Sequence, residues 1–540
     1  MIASRSRFLV SFLLLLIFFG VIVAPLVFLF ASSIWVEGRM DFSAYSNVLQ
    51  SSRQWTLLFR SVGLASGVAV LATILGASAA YALIRLPRAA HLSAAFALTL
   101  PVIVPQHIMA IAWVDVLGRS GYLSRFVQIA MPGAPPVPSP FTFWGTLFIL
   151  AMTLYPIPML ATFVALRRFD ARFIEAARVA GQSRGAFRAI VLPLILPSVL
   201  TGSLVVFALS VSTFAVPSLL QVNTYPVEIH ASSMSFDYGA AAAQSLPMIA
   251  VCAVTFAVWS LYVRPRHAWL SGAARGATTE LPAGKPNLRM RTVLSSSFVL
   301  LVAFGAIALP LAALFLRSLP LRTYAAVWGT AREEIVTGLV VAACAATVIS
   351  AIAFSMSAIV QGTGARAFVR YASLFAFVAP GPLLALGMIA QWNRPGIAGM
   401  VYDSASILIL ASATRFFAFG NIAFEAQRAR MNPRLLEAAR VAGVPWWRSI
   451  SAISLPLALP YLIAVWLVAF VLALGEVDAA VLLSPPGVST FALRLFSLMH
   501  YGPDSFVAAL SLITAMGIAV LAGCGLVGFK ILSRRFNAGA

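Results

Sequence analysis

The chain has 540 residues, of which 61% are hydrophobic and only 10% are charged, and its mean hydropathy is +0.95. A soluble domain carries about 25% charged residues, so this composition excludes a soluble globular protein and indicates a polytopic membrane protein. The 37 basic residues outnumber the 16 acidic ones, but they lie in short clusters between apolar runs, as orientation signals do. We therefore expect no nucleic-acid binding.

The first apolar run extends from residue 8 to about residue 31 and follows Arg5 and Arg7. A basic start also suits a secretory signal peptide, but the apolar core of a signal peptide has roughly 7–15 residues, whereas a membrane span needs about 20. The length predicts a first membrane helix that enters from the cytoplasm.

Five further runs complete the first half of the chain, and Pro101 and Pro105 break the third run while Pro156 and Pro158 break the fourth. Prolines in spanning helices are tolerated where neighbouring groups bond the freed carbonyls. The six runs therefore predict a bundle of kinked helices, at about residues 8–31, 58–84, 93–117, 144–165, 191–218 and 246–263.

A polar linker at residues 265–292 separates two domains, a first repeat at 1–264 and a second repeat at 293–540. The motif Ala24-Pro25-Leu26 in the first span is echoed by Leu309-Pro310-Leu311 in the seventh. We predict an all-α fold of about 12 transmembrane helices in two tandem six-helix repeats. The runs of the second half lie at about 293–316, 335–360, 371–391, 404–424, 455–479 and 505–529.

One heptapeptide, EAARVAG, occurs in both halves, and a repeat this long indicates a duplicated unit. The first copy, Glu175-Ala176-Ala177-Arg178-Val179-Ala180-Gly181, lies in a loop at about 166–193 that reaches Leu192-Pro193. The second copy, Glu437-Ala438-Ala439-Arg440-Val441-Ala442-Gly443, lies in a loop at about 425–456 that reaches Leu455-Pro456.

Each copy predicts a short helix, a glycine in a left-handed turn, and a second helix that enters the membrane at Leu-Pro. A glutamate at the start of the helix would favour the helix dipole, and two adjacent alanines would leave a flat surface for another protein. A surface helix that merely connects two spans is the alternative for a single copy. Two copies at matching positions favour a docking surface.

The distribution of basic residues predicts the orientation, because most of the 37 lie in the termini, the linker and every second loop. By the positive-inside rule, both EAARVAG loops, the linker and both termini are cytoplasmic.

The two loops resemble the EAA loop of permease subunits of binding-protein-dependent ABC importers, and the duplicated layout is similar to the fused permeases for ferric iron, thiamine and 2-aminoethylphosphonate. This resemblance implies a permease of the bacterial inner membrane that couples to two separate ATP-binding subunits and receives solute from an extracytoplasmic substrate-binding protein. The implied coupling residues are Glu175, Ala176, Ala177, Gly181, Leu192, Pro193, Glu437, Ala438, Ala439, Gly443, Leu455 and Pro456.

The chain itself lacks a P-loop, whose lysine would contact the phosphates of ATP. Its two lysines are Lys285, before Pro286, and Lys530, before Ile531. We expect no cofactor, catalytic residue or metal site in this chain, and ATP bound by the partner subunits. The cysteines Cys252, Cys344 and Cys524 lie in apolar runs and are expected to be core residues.

Four residues are candidates for a translocation path or its entrance, namely Arg415 with its first-half equivalent Thr153, and the carboxylates Glu476 and Asp478. An ionisable residue in a span indicates function by default. The alternatives are that Arg415 pairs inside the bundle and that Glu476 and Asp478 face water. His230 is interpreted as a surface histidine.

An ion-coupled secondary transporter with tandem repeats is the competing function. Such a transporter would place polar coupling residues near the middle of the membrane, whereas the carboxylates here lie mostly at span ends or in loops. Recruitment of an ATP-binding subunit would distinguish the two classes.

Overall fold

The computed structural model describes residues 2–36, 39–167, 187–235, 237–263, 288–502 and 504–537. Within these ranges, ten helices are long and apolar enough to cross a membrane, and there are up to twelve spans if each of two bent helix pairs counts as one. This confirms the prediction of an all-α polytopic membrane protein. The orientation of the termini and the tandem repeats stay predictions.

The helices of the first half are interrupted by one small β hairpin, in which Trp35–Val36 (β1) pairs antiparallel with Arg39–Met40 (β2). The first of them are α1 (Ile2–Phe18), α2 (Ala24–Ile34), α3 (Ser43–Gln50), α4 (Ser52–Leu83), α5 (His91–Ile103), α6 (Gln106–Leu117) and α7 (Tyr122–Ala130). They continue with α8 (Phe143–Leu154), α9 (Pro156–Arg167), α10 (Leu192–Ser212), α11 (Ala215–Leu219), α12 (Tyr225–Met234) and α13 (Tyr238–Val258).

The second half contains helices joined by turns and loops, and no β-strand, in the ranges described. Its first helices are α14 (Leu288–Ala303), α15 (Leu309–Arg317), α16 (Arg322–Ile359), α17 (Thr363–Val378), α18 (Gly381–Trp392), α19 (Ile397–Tyr402) and α20 (Ser406–Arg430). They are followed by α21 (Pro433–Val441), α22 (Trp446–Ser449), α23 (Leu455–Leu474), α24 (Ala480–Leu483), α25 (Phe491–Tyr501) and α26 (Asp504–Asn537).

A wide turn of π-helix precedes an X-Pro step in four spans. The π turns Phe19–Val23, Phe187–Val191, Phe304–Ala308 and Ile450–Ser454 end two residues before Pro25, Pro193, Pro310 and Pro456. A proline ring collides with the carbonyl four residues earlier and offers no N–H, and the wider turn makes room for the ring. The structural match at Pro25 and Pro310 extends the echo between the first and seventh spans.

The carbonyls beside Pro25 are bonded by side chains far away in sequence. Gln391 Nε2 donates to the Gly20 carbonyl at 2.9 Å, and Thr414 Oγ1 donates to the Val21 carbonyl at 2.8 Å. Because no water is available in the hydrocarbon core, such donors are what makes a proline acceptable there.

Two spans are sharply bent at a proline. The pair His91–Ile103 and Gln106–Ala130 bends by 95° at Pro105, and the pair Thr363–Val378 and Gly381–Trp392 bends by 113° at Pro380. The residue before each proline, Val104 or Ala379, has extended backbone, because the following ring disfavours the helical conformation there. The predicted break at Pro105 is confirmed, whereas Pro101 stays inside α5.

Contacts within the chain define two compact units that do not follow the sequence halves. Unit 1 contains residues 1–54, 228–248 and 321–540, and unit 2 contains residues 55–227 and 249–320. The first span therefore belongs to the unit built mainly from the second half, and the seventh span belongs to the unit built mainly from the first half.

Each unit has its own core. In unit 1, α16 packs against α20 and α23, while α2 packs against α18. In unit 2, α9 packs against α10, α15 against α6, and α14 against α5. Alanine is frequent in both cores, and its small side chain allows neighbouring helices to approach closely in a membrane.

Candidate functional site

The second EAARVAG segment forms helix α21, which begins at Pro433 and ends at Val441. Asn432 caps its first turn, since its side-chain oxygen accepts a hydrogen bond from the Arg434 N–H at 3.1 Å. Proline suits the first helical position because that position needs no N–H donor and its φ is already helical. The local sequence therefore explains why the helix begins at this point.

Gly443 terminates this helix in the predicted left-handed conformation, with φ of +70°. The Val444 N–H donates to the Ala439 carbonyl at 2.9 Å and the Gly443 N–H to the Arg440 carbonyl at 3.0 Å, which is the Schellman arrangement. A Cβ at Gly443 would meet no atom within 4 Å. Backbone conformation rather than crowding thus requires glycine here.

The exposed face of α21 carries Glu437 and Ala438, whereas Ala439 is buried. Only one of the two alanines is therefore available to a partner. The expectation that the glutamate begins the helix is wrong, because Glu437 follows Pro433 by a full turn and no acidic residue lies in the first turn. After the glycine come α22, a π turn and α23, and α23 begins at Leu455-Pro456 as predicted.

The predicted residues of the first copy, Glu175, Ala176, Ala177 and Gly181, lie outside the described residues. The chain is described again from Phe187, and α10 begins at Leu192-Pro193 after a π turn, as α23 does at Leu455-Pro456. Leu192 and Leu455 are similarly exposed, at 39% and 38%. The two loops thus lead into equivalent helix starts.

The candidates Arg415, Glu476 and Asp478 form one buried ionic cluster in unit 1. Arg415 Nη1 contacts the two Glu476 oxygens at 2.7 and 3.0 Å, and Arg415 Nη2 contacts Asp478 Oδ2 at 2.9 Å. Their exposed fractions are only 6%, 9% and 8%. One guanidinium faces two carboxylates, so the three side chains carry a formal charge of −1 when both carboxylates are ionised.

The alternative that Glu476 and Asp478 face water is therefore wrong. Glu476 follows the last turn of α23, where Gly475 ends the helix, and Glu476 Oε1 also accepts from the Ala479 N–H at 2.9 Å. The turn folds both carboxylates back onto α20, where Arg415 lies. The alternative that Arg415 pairs inside the bundle is confirmed.

Gly381 is a residue of this cluster that the sequence did not single out. A Cβ at Gly381 would overlap the Cβ of Asp478 and lie 2.9 Å from Arg415 Nη1. Only glycine allows the first turn of α18 to approach the ion pairs this closely. The signal was the motif Pro380-Gly381-Pro382, which marks a break in an apolar run.

His230 lies in α12, outside the candidate spans, and its ring nitrogen Nε2 has no exposed surface. The side chain is half-buried, so the interpretation as a surface histidine holds only in part. Burial lowers the pKa of His230 to about 4, and the negative charge of Asp478 opposes that shift. The imidazole next to the cluster is neutral at physiological pH.

Thr153 belongs to unit 2 and is not part of the ionic cluster. It is buried in α8, and its hydroxyl donates to the Ile149 carbonyl of the same helix at 2.8 Å. This bond satisfies the hydroxyl within the helix, so the first half has no ionic counterpart of Arg415 at this position.

Residues 72–266 match the family described as the inner membrane component of binding-protein-dependent transport systems. A ferric transport system permease of Actinobacillus pleuropneumoniae is 22% identical over 496 residues, which cover 88% of this chain and 71% of that protein. A molybdenum transport system permease of Mycobacterium tuberculosis is 27% identical over 241 residues, covering 43% of this chain and 88% of that protein. A putrescine transport system permease of Escherichia coli is 28% identical over 200 residues, covering 35% and 68%.

The fold and these similarities define a class, a multi-pass protein of the bacterial inner membrane that serves as a transport component. Within that class, the chain is similar to the permeases of binding-protein-dependent ABC importers, which confirms the resemblance drawn from the two EAARVAG segments. The molybdenum relative aligns over most of its length with less than half of this chain. This is expected if the chain contains two permease repeats, each of about that size. The relatives are membrane transport components, which at the level of the family supports transport rather than catalysis.

Proposed function

We propose that this permease forms the translocation path of a ferric iron importer and is driven by two separate ATP-binding subunits that dock on its two EAARVAG loops. An extracytoplasmic substrate-binding protein delivers the solute, and ATP binds only to the partner subunits. The observation that carries the proposal is α21, a helix with caps at both ends that presents Glu437 and Ala438 on its outer face.

The geometry of α21 suits transmission of force. Its caps define both ends, and the loop after Gly443 leads through α22 directly into the spanning helix α23. The side chain of Trp446 also donates to Ser6 Oγ at 3.1 Å, which links the loop to the first span. A partner that moves α21 would therefore move two membrane helices of unit 1.

Coupling also requires a difference in affinity. A ligand shifts a conformational equilibrium only by the difference in its affinity for the two states, so closure of the ATP-binding subunits has to favour one state of the permease. The loaded binding protein has to favour that same state at the outer face. Because the loaded binding protein has to favour that state, ATP hydrolysis by the partner subunits would depend on the substrate even though ATP binds outside this chain.

Ferric iron is the proposed substrate because the ferric transport permease aligns with 88% of this chain, whereas the molybdenum and putrescine permeases align with less than half of it. We place the path entrance near Arg415, Glu476 and Asp478, whose summed charge of −1 has the sign that attracts a cation. Thiamine, a phosphonate, molybdate and putrescine are the competing substrates.

The test combines reconstitution with substitution on α21. Glu437→Ala should cut both uptake of labelled ferric iron and substrate-stimulated ATP hydrolysis at least tenfold, while the amount of permease in the membrane stays the same. Gly443→Ala should have a similar effect because a left-handed backbone disfavours a side chain by roughly 1–2 kcal/mol. Arg434→Ala is the matched control, since Arg434 is exposed on the same helix but lies outside the heptapeptide.

Unchanged transport by both motif variants, or purification of the permease from its native membrane without any ATP-binding subunit, would contradict the coupling role. Uptake of molybdate or putrescine in place of iron would contradict the substrate alone.

A further inference from the structure

A cavity of about 860 Å³ opens in unit 1 beside α21. Its lining comes from places where four candidate spans begin or end, namely those that start at Ser6 and Trp446 and those that end at Ile359 and Arg430. The ends of spans lie where the hydrocarbon core meets the headgroups. The cavity is thus at the level of the lipid headgroups, and Trp446, a residue type enriched at that level, lies on its wall.

The polar end of the cavity has an excess of positive charge. Arg7, Arg428 and Arg440 line it, and Arg366 is close enough to repel Arg7 and Arg428 electrostatically. No aspartate or glutamate is among the described residues that line this cavity. Four guanidinium groups therefore lie near one another, and the described lining residues offer no carboxylate to balance them.

The backbone holds these arginines but neutralises them only in part. Arg7 Nη2 donates to the Ala358 carbonyl at 3.1 Å, Arg366 donates to the Val360 carbonyl at 3.0 Å, and Arg428 donates to the Ser357 carbonyl. These carbonyls lie at the C-terminal end of α16, which carries about half a negative charge. The remaining positive charge favours an anion with several acceptor oxygens.

The other end of the cavity is apolar. Phe8, Phe12, Leu15 and Phe354 line it, and Phe8 and Phe12 are 72% and 59% exposed on a helix that crosses the membrane. The cavity therefore combines a basic end at headgroup level with an aromatic wall that continues toward the lipid.

We propose that this cavity binds an anionic phospholipid, with its phosphate on Arg7, Arg428 and Arg440 and an acyl chain along Phe8 and Phe12. Basic pockets between membrane helices are suited to anionic headgroups, and the aromatic wall accounts for a lipid rather than a free anion. The site adjoins Gly443 and Trp446, so the lipid would hold the loop after α21 against the first span. The binding itself needs no ATP-binding subunit.

The test measures binding of dioleoyl phosphatidylglycerol to the full chain in neutral detergent by native mass spectrometry. Phosphatidylcholine serves as the zwitterionic control and inorganic phosphate as the competitor. The double variant Arg7→Gln/Arg428→Gln should bind phosphatidylglycerol at least tenfold more weakly, and Arg7→Lys, which keeps the charge, should lose less. Arg430→Gln is the matched control, since it lies two residues from Arg428 on the same helix, is exposed and does not line the cavity.

Equal binding of the two lipids, or equal affinity of the double variant and Arg430→Gln, would overturn the proposal. Displacement of the lipid by millimolar inorganic phosphate would reassign the cavity to a free anion, and displacement by an added ATP-binding subunit would reassign it to an acidic segment of that partner. Because the measurement uses this chain alone, a failed coupling test at Glu437 leaves it unaffected.

Discussion

Arg415 shows how a charged residue is accommodated among apolar helices. A charge in the membrane is costly unless it is paired, and here two carboxylates 61 and 63 residues further along the chain contact its guanidinium. Glu476 obtains a further bond from the Ala479 N–H. The cluster thus connects α20 with the turn after α23 by charge-assisted hydrogen bonds.

We predict that Arg415→Met destabilises the protein by about 3–5 kcal/mol, because it leaves two buried carboxylates facing each other. The measurement is denaturation of the purified protein in detergent. The triple variant Arg415→Met/Glu476→Gln/Asp478→Asn removes all three charges together and should regain most of the lost stability.

The triple variant also separates structure from transport. If it is stable but imports the solute at less than a tenth of the normal rate, the charges serve the proposed entrance; full transport would restrict the cluster to a structural role. A stable Arg415→Met single variant would contradict the pairing.

The sequence predicted Arg415 well and its partners less well. An arginine inside an apolar run stands out by composition alone, and pairing inside the bundle was one of its two expected roles. Glu476 and Asp478 lie at the end of an apolar run, which resembles a helix end in water. Only the turn at Gly475 and the position of α20 show that they are buried, and neither can be inferred from a local pattern.

At the scale of elements, the two bent spans share one physical cause. Pro105 and Pro380 each force the preceding residue into an extended conformation and start a new half-helix. In unit 1, this break brings the first turn of α18 to the ionic cluster. A continuous helix would not place an N-terminal turn beside the ionic cluster.

We predict that Gly381→Ala lowers the stability by about 1–3 kcal/mol, the usual cost of overpacking, because the new methyl group overlaps the Cβ of Asp478. Thermal denaturation in detergent measures the change. Gly517→Ala in α26 is the matched control, since a Cβ there meets nothing within 4 Å, and it should be neutral or slightly stabilising. Equal effects of the two substitutions would contradict the close contact.

Some element boundaries can be predicted from the sequence, and others cannot. Pro105 interrupts a run that also contains Pro101, and the break there was predicted. Residues 371–391 were interpreted as one continuous span, because the apolar residues on both sides of Pro380 hide the 113° bend. Hydropathy indicates which residues lie in lipid, but it does not show where a helix changes direction.

At the scale of the whole molecule, the compact units interleave the two halves of the sequence. The first span, α1 and α2, belongs to unit 1 with residues 321–540, and the seventh span, α14 and α15, belongs to unit 2 with residues 55–227. About twelve spans could be predicted from the apolar runs, while the duplication inferred from the two heptapeptides stays a prediction. The exchange of first spans between the two units could not be predicted, because an amphipathic pattern does not specify which neighbour a lipid-embedded helix packs against.

We predict that the two halves stay together when the peptide chain between them is cut. Residues 1–264 and 293–540, expressed as separate polypeptides, should copurify in mild detergent, because each half supplies a span to the other unit. The matched control pairs residues 35–264 with 321–540 and lacks both exchanged spans; its recovery should fall several-fold. Separation of the intact halves under the same conditions would contradict the interleaved arrangement.

The side chains that donate to the backbone carbonyls before Pro25 have a consequence for the order in which the protein assembles in the membrane. Ribosomes deliver residues 20 and 21 to the bilayer long before Gln391 and Thr414, which come 371 and 393 residues later. During that interval, the nascent N-terminal helix carries two carbonyls whose permanent donors have not yet been translated. Its assembly is therefore completed only late in synthesis, and a stop codon before residue 391 would leave it unfinished in the bilayer.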